Sequence, residues 1–280
     1  MRAAIARLGS ATWLGWQIDT NWADPFVFVV YSLLRPLATA LILAGIWWAV
    51  ASKAPASGTF AALYLGNAFH NFVTQVVIGM GWIVVEEREE YETLKYVFAS
   101  PLGLYTCLAG RSVVKLAIAV LGVAVVLAVG WYALHVTWDW RGVRWAQLTL
   151  ALALGGVATV SVGFLVAGLG LLLPRSAVQL NEGLAVALYL LCGVIFPIDL
   201  LPRLLQNLSL ALPFTLWYEA LRRFLLGHGA SARIGHWSDG VLLGALAAST
   251  IGFALLGRWG YFALETRARR LGRLDQTTLF

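Results

Sequence analysis

Long apolar runs alternate with short polar breaks along this chain, and the runs have the length of membrane-spanning helices. Six spans are read from the pattern: about Phe26 to Val50, Phe60 to Val85, Val113 to Leu134, Ala146 to Leu173, Glu182 to Phe196, and Gly240 to Leu264. Arg35-Pro36 interrupts the first. The reading starts that span near Leu33 and lets Arg35 snorkel to the cytoplasmic headgroups. The expected architecture is an all-α membrane protein, a single transmembrane domain over residues 1–280.

Polar positions inside and between the runs refine this picture. Residues 1–24 place Ile5, Leu8, Trp13 and Trp16 near helical spacing, which predicts an amphipathic helix lying in the cytoplasmic interface. Asn67, Asn71, Thr74 and Gln75 share one face of the second span, with His70 on a neighbouring face. Such a face fits a substrate path or cavity, or equally hydrogen bonds that glue helices together. Small residues recur every fourth position at Ala151, Gly155, Thr159, Gly163 and Ala167, and again at Gly240, Gly244, Ala248, Gly252 and Gly260. Both stripes are expected to be packing surfaces. Between Pro197 and Pro213, with Pro202 inside, an amphipathic segment of about ten residues is too short to cross a bilayer; it is expected to dip into the outer leaflet and return.

Composition agrees with membrane insertion. Of 280 residues 60% are hydrophobic and only 12% charged, against about a quarter charged in a soluble domain. The net charge of +6 is therefore topology and headgroup contact, and nucleic acid is not an expected partner. With both termini inside, the cytoplasmic segments hold the larger share of Lys and Arg, including Arg267, Arg269, Arg270 and Arg273. Trp131, Tyr132, Trp138, Trp140 and Trp145 form the aromatic belt of the outer interface. Gln17, Asp19 and Asn21 interrupt any apolar core of a cleaved signal peptide. Cys107 and Cys192, both in apolar stretches, read as small buried hydrophobes.

Candidate chemistry is sparse. Lys53, Lys95 and Lys115 follow Ser, Leu and Val, so no G-x-x-x-x-G-K-[ST] phosphate loop exists. No zinc, serine-hydrolase or Cys/His metal spacing occurs, and His228 with His236 is a weak pair. No metal site and no catalytic residue are expected. What stands out is Glu86 to Pro101, with five acids and two bases between Glu86 and Lys95. Tyr91, Leu94 and Phe98 give it one apolar edge, and Ser100-Pro101 starts the next helix. An exposed helix of this kind suits a groove in another protein, or is a solvated cap that stops the second span sliding.

Glu87-Arg88-Glu89, Thr93-Leu94 and Ser100-Pro101, placed after the second span, resemble the permease subunits of type-2 export ABC transporters. So does the run Gly193 to Phe196-Pro197, Leu201-Pro202 and Leu212-Pro213, followed by Trp217, Glu219, Ala220 and Arg222. The resemblance covers essentially the whole length. It implies a dimer with a second copy or a related permease, bound to two separate ATP-binding subunits. ATP and Mg then belong to the partner, and this chain carries no cofactor. It implies that residues 86–101 are the coupling helix, through Glu86, Glu87, Arg88, Glu89, Glu90, Thr93, Leu94, Ser100 and Pro101. Pro174 to Asn181 would be a smaller second contact. Phe196, Pro197, Pro202 and Pro213 would belong to a re-entrant outer gate over residues 197–213, and Asn67, His70, Asn71, Thr74 and Gln75 to the substrate path. The family usually has glycine before Thr-Leu and an acid after it; Glu92 and Lys95 stand there in this chain. The implied function is a multi-pass subunit of the plasma or inner membrane, in contact with membrane lipids, that moves a drug-like, lipid-like or glycolipid substrate outward. Polysaccharide or glycoconjugate export is the alternative. A stand-alone secondary transporter would need repeats and embedded carboxylates that the chain lacks.

Overall fold

The computed structural model describes residues 2–21, 24–51, 58–100, 102–136 and 140–274, with side chains undescribed at 2–5, 25, 31, 50 and 51. Lys53, Pro101 and Trp138 fall outside these residues. The chain is 85% helical, without strands among the described residues. Five helices are long and apolar enough to cross a membrane: α2 (Pro25–Ala51), α3 (Gly58–Val85), α5 (Gly103–Tyr132), α6 (Trp145–Leu172) and α11 (Asp239–Arg270). The others are α1 (Arg2–Thr20), α4 (Leu94–Ala99), α7 (Ala177–Leu191), α8 (Arg203–Ala211), α9 (Pro213–Leu226) and α10 (Ala232–Gly235).

α3 is the axis of the bundle. It packs on α2, α5, α6, α7 and α9, and most of it is buried. α11 runs along α6, and α1 lies against α5. By contrast α2 and α11 bury little of their apolar length, which leaves broad faces for lipid or a second subunit. α1 turns Ala11, Gly15 and Asp19 to the protein and leaves Trp13 and Trp16 exposed, an arrangement that suits an interface-lying helix. A Cβ on Gly110 of α5 would sit 2.5 Å from the Ala11 backbone, so glycine is what admits α1 so closely.

Two expectations change in form. The element expected from Glu182 to Phe196 is α7, which starts earlier and ends at Leu191. Its 15 residues give roughly 22 Å of helix, less than the ~30 Å hydrocarbon core. Gly193, at φ +70°, turns the chain away just past its end. The small-residue stripes also differ from one another. The α6 stripe is filled, since a Cβ on Gly155 would meet the Trp217 ring at 2.0 Å and one on Gly163 would meet Met80. On α11, Gly240, Gly244 and Gly252 have open space instead, whereas Gly260 meets the Leu165 side chain and Gly257, off the stripe, meets the Ser161 carbonyl.

Gly155→Ala should therefore overpack the core and cost about 1–3 kcal/mol, read as a lower thermal midpoint in detergent. Gly156→Ala, where nothing lies within 4 Å, should stay within about 0.5 kcal/mol of the parent.

Candidate coupling site and polar stripe

The acidic stretch folds inward. α3 continues into one widened turn, Glu86–Glu90, in which the Tyr91 N–H reaches the Glu86 carbonyl at 2.9 Å. The turn ends at Glu92, whose φ of 51° is left-handed, and α4 starts two residues later. Position 92 is where the resembling family carries glycine, and this backbone is one that glycine adopts without strain. Residues 86–100 are thus two pieces with a break, and Glu87, Arg88 and Glu89 are buried. This corrects the picture of one exposed charged helix.

The cause lies on α5. Arg111 is 0% exposed. Its Nη2 donates to Asp19 Oδ1 at 2.6 Å and to Glu86 Oε2 at 2.9 Å, and its Nη1 to Glu87 Oε1 at 3.1 Å. Lys115 Nζ lies 3.2 Å from Asp19 Oδ2, and the Thr93 hydroxyl donates to Glu87 Oε2. A guanidinium so far from water needs buried acceptors, and for this one they are carboxylates. The acids of 86–87 and Asp19 of α1 supply them.

Arg88 points elsewhere and donates to the Gly170 and Leu171 carbonyls at 3.1 and 3.3 Å, groups left unpaired at the end of α6. Arg273 donates to the neighbouring Leu172 carbonyl at 2.5 Å. Phe98 of α4 lies under Arg269 of α11, 4.5 Å from guanidinium carbon to ring centre, and Glu265 holds Arg269 from below. The segment is therefore tied to α1, α5, α6 and α11. Its exposed remainder is Glu90, Tyr91, Glu92, Lys95, Tyr96 and Ala99, while Leu94 is buried and Ser100 half-buried. Burial, then Glu90 and Glu86, push the Tyr91 phenol up and keep it neutral. α1 and α4 frame an apolar groove of about 710 Å³ that includes Leu14, Ile18, Tyr96 and Val97. The turn at Pro174–Ser176 exposes Arg175 and Ser176, while Asn181 is buried against Gly81.

The polar stripe of α3 divides. Asn67 and His70 face α7 and α9: the Tyr189 hydroxyl donates to Asn67 Oδ1 at 3.3 Å, the His70 ring lies 4.7 Å from the Tyr189 ring, and His70 Nδ1 is 3.4 Å from the Tyr218 hydroxyl. Asn71 faces α2 and donates to Thr39 Oγ1 at 2.8 Å. Thr74 bonds back to the His70 and Asn71 carbonyls, and Gln75 borders a cavity with Asn71 and Thr74. Arg35 borders the same cavity, because α2 runs unbroken through Pro36 from Pro25. The expectation that the span starts at Leu33 is corrected, since Arg35 lies ten residues into the helix.

At the opposite end, Phe196 and Pro197 are half-buried, Pro202 precedes α8, and Pro213 opens α9. α9 is nearly all buried and organises this end through Arg222, 3% exposed. Arg222 donates to the carbonyls of Ala62, Gly193 and Val194 at 2.8–3.0 Å, joining α3 to the chain beyond α7. Burial lowers its pKa from the usual arginine value, against Glu219. Glu219 accepts the Ala230 and Ser231 N–H groups, and Asp199 accepts those of Ala232 and Arg233. Among the described residues no group of three or more His, Cys, Asp and Glu side chains is placed to hold a metal ion.

The family described as ABC-2 type transporter matches residues 10–226. The chain belongs to the ABC-2 type transporter family. It is a multi-pass membrane permease component of an ABC transporter, a family that associates with separate ABC ATPase subunits and assembles as dimers. No curated protein sequence matches the chain. The matched region spans α5, α9 and the segment after α3, so the Arg111 and Arg222 junctions both lie within the permease domain.

Sequence reading missed Asp19, Arg111, Lys115 and Arg222 as organising residues. A signal existed: Arg111 and Lys115, four apart near the start of an apolar helix, needed counter-charges, and the surplus acids of 86–92 were the nearest supply. Arg111→Met should leave three carboxylates facing one lysine and cost about 3–5 kcal/mol. Limited proteolysis should then release α1 early. Lys115→Met removes one ion pair and should cost clearly less; equal effects would contradict the reading of Arg111.

Proposed function

We propose that this permease exports a drug-like, lipid-like or glycolipid substrate across the cell membrane, energised by two partner ATPases that dock on residues 86–101. The observation that carries this reading is the convergence of α1, α5, α6 and α11 on the segment from Glu86 to Ala99, with α5 and α6 bonded to its first turn, α1 joined to that turn through Arg111, α11 packed on Phe98 of α4, and Tyr91 and Tyr96 exposed. A push on α4 reaches α11 through Phe98 and, across the break at 91–93 that Thr93 ties to Glu87, the turn held by α1, α5 and α6. By linkage, a partner that binds one permease conformation better shifts the inward-to-outward equilibrium by that difference in affinity. ATP and Mg stay on the partner. The basic residues around the end of α11, with α1 beside them, support a cytoplasmic placement of this end. Arg175 and Ser176 supply a second contact. Asn67 and His70, facing Tyr189 and Tyr218, are the part of the stripe that suits a path along α3 and α7, gated by the segment from Phe196 to Pro213. A second copy or a related permease completes the path. The outer connections carry no separate folded domain among the described residues, which favours a small amphiphile over a polysaccharide.

The test uses Tyr96 and Lys95, since Glu87 and Glu89 are occupied inside the protein. Tyr96→Glu with Lys95→Glu should leave the thermal midpoint unchanged and weaken co-purification with the ATPase by roughly 30-fold or more, the effect of losing an interface hot spot of about 2 kcal/mol. An intact complex with undiminished hydrolysis would overturn the docking site.

A further inference from the structure

Two cavities on the α2 side of the bundle meet. The upper one, about 70 Å³, is bounded by Arg35 and Ser32 of α2, by Asn71, Thr74 and Gln75 of α3, and by α5. The lower one, about 410 Å³, shares Ser32, Gln75 and Ile118 with it and reaches Lys115 and the acids Asp19, Glu86 and Glu90. Together they make a polar groove from the acidic end of α3 to the level of Arg35. Gln75 stands 11 residues from Glu86 and Arg35 ten from the start of α2. At 1.5 Å per residue both lie roughly 15–17 Å in from their helix ends. That is well inside the apolar length of α2, from Phe26 to Ala49.

Arg35 is exposed toward this space and makes no ion pair or hydrogen bond with any described residue. A cation at this depth without a protein partner marks a place for a counter-charge that is not part of the fold. Gln75 is half-buried beside it, and Asn71 uses its amide nitrogen on Thr39, which leaves its oxygen available. Ser32 adds a hydroxyl. A guanidinium ringed by hydroxyl and amide groups is a receptor for phosphate or carboxylate oxygens.

The route of entry narrows the ligand. Around the lower cavity the four carboxylates of Asp19, Glu86, Glu87 and Glu90 outnumber the two cations Arg111 and Lys115, and that mouth repels a small free anion. The lateral side is open within the single chain instead, since α2 is the least buried of the long helices. An anion arriving sideways is one attached to an apolar body. We propose that the groove between α2, α3 and α5 is a lateral site for an anionic amphiphile, its phosphate or carboxylate headgroup paired with Arg35 and its tail left in the bilayer. The inference rests on the export reading above in taking that amphiphile as cargo. It places the headgroup on the α2 side of α3, away from Tyr189 and Tyr218.

The full chain in phosphatidylcholine nanodiscs tests this directly. The probes are a fluorescent short-chain phosphatidic acid and the same lipid carrying phosphocholine. The parent should bind the phosphate monoester at least about tenfold tighter. Arg35→Gln should abolish the preference with an unchanged thermal midpoint, because Arg35 holds nothing else in place, and Arg35→Lys should keep most of it. Equal preference in Arg35→Gln would overturn the site, and so would absence of any preference in the parent. Complete displacement of the probe by excess phosphatidylglycerol would assign the groove to bulk lipid and overturn the cargo role; resistance to it supports cargo. No ATPase is present, so failure here with α4 variants still shedding the ATPase removes this inference alone. Success here with the ATPase undisturbed by those variants removes the docking scheme alone.

Discussion

One buried guanidinium sets the form of the end where α1, the acidic turn and α5 meet. Arg111 leaves water entirely, and the free energy of that transfer is offset by carboxylates that come with it. They come from two directions, Asp19 from α1 and Glu86 and Glu87 from the turn after α3. α1 is thereby tied to the bundle, although its outward face is made of tryptophans suited to lipid. The acidic turn is also drawn inward, which leaves α4 as the part that looks out. Without Arg111 the five acids of 86–92 would be the solvated, lipid-repelling patch that their composition suggests.

Arg88 and Arg222 work by a related rule at the two ends of the molecule. Each is a buried cation satisfied by backbone carbonyls, Arg88 at the end of α6 and Arg222 where the chain turns away after α7. Helix ends buried in a membrane protein have carbonyls that water cannot reach, and a forked donor satisfies two or three at once. The Arg111 junction holds charge on charge, and the Arg222 junction holds charge on dipoles.

Much of the plan was legible in the sequence. Span lengths gave α2, α3, α5, α6 and α11, because a bilayer imposes a length that hydropathy reports directly. Prolines 197, 202 and 213 marked the short helices, and Ser100-Pro101 the break before α5. Partnership was not legible. Periodicity put Asn67, Asn71, Thr74 and Gln75 on one face, but one helix face wide enough for four polar residues meets two neighbours, so the stripe divides between α7 and α2. Pro36 looked like the edge of a span and lies inside one. Small residues every fourth position look alike on α6 and α11, yet Trp217 and Met80 fill the α6 stripe while Gly240, Gly244 and Gly252 of α11 face open space and its far end, Gly260, meets Leu165.

The central claim is that α1, the 86–99 segment and α5 move as one body because Arg111 binds them. Both native cysteines are buried, so spin labels can be placed selectively at Gly9, which has open space around it, and at the exposed Glu90. Double electron–electron resonance on the assembled transporter should return the same interspin distance with ATP bound as without nucleotide, and Arg111→Met should make that distance broad and nucleotide-dependent. A nucleotide-dependent shift in the parent protein would contradict the account.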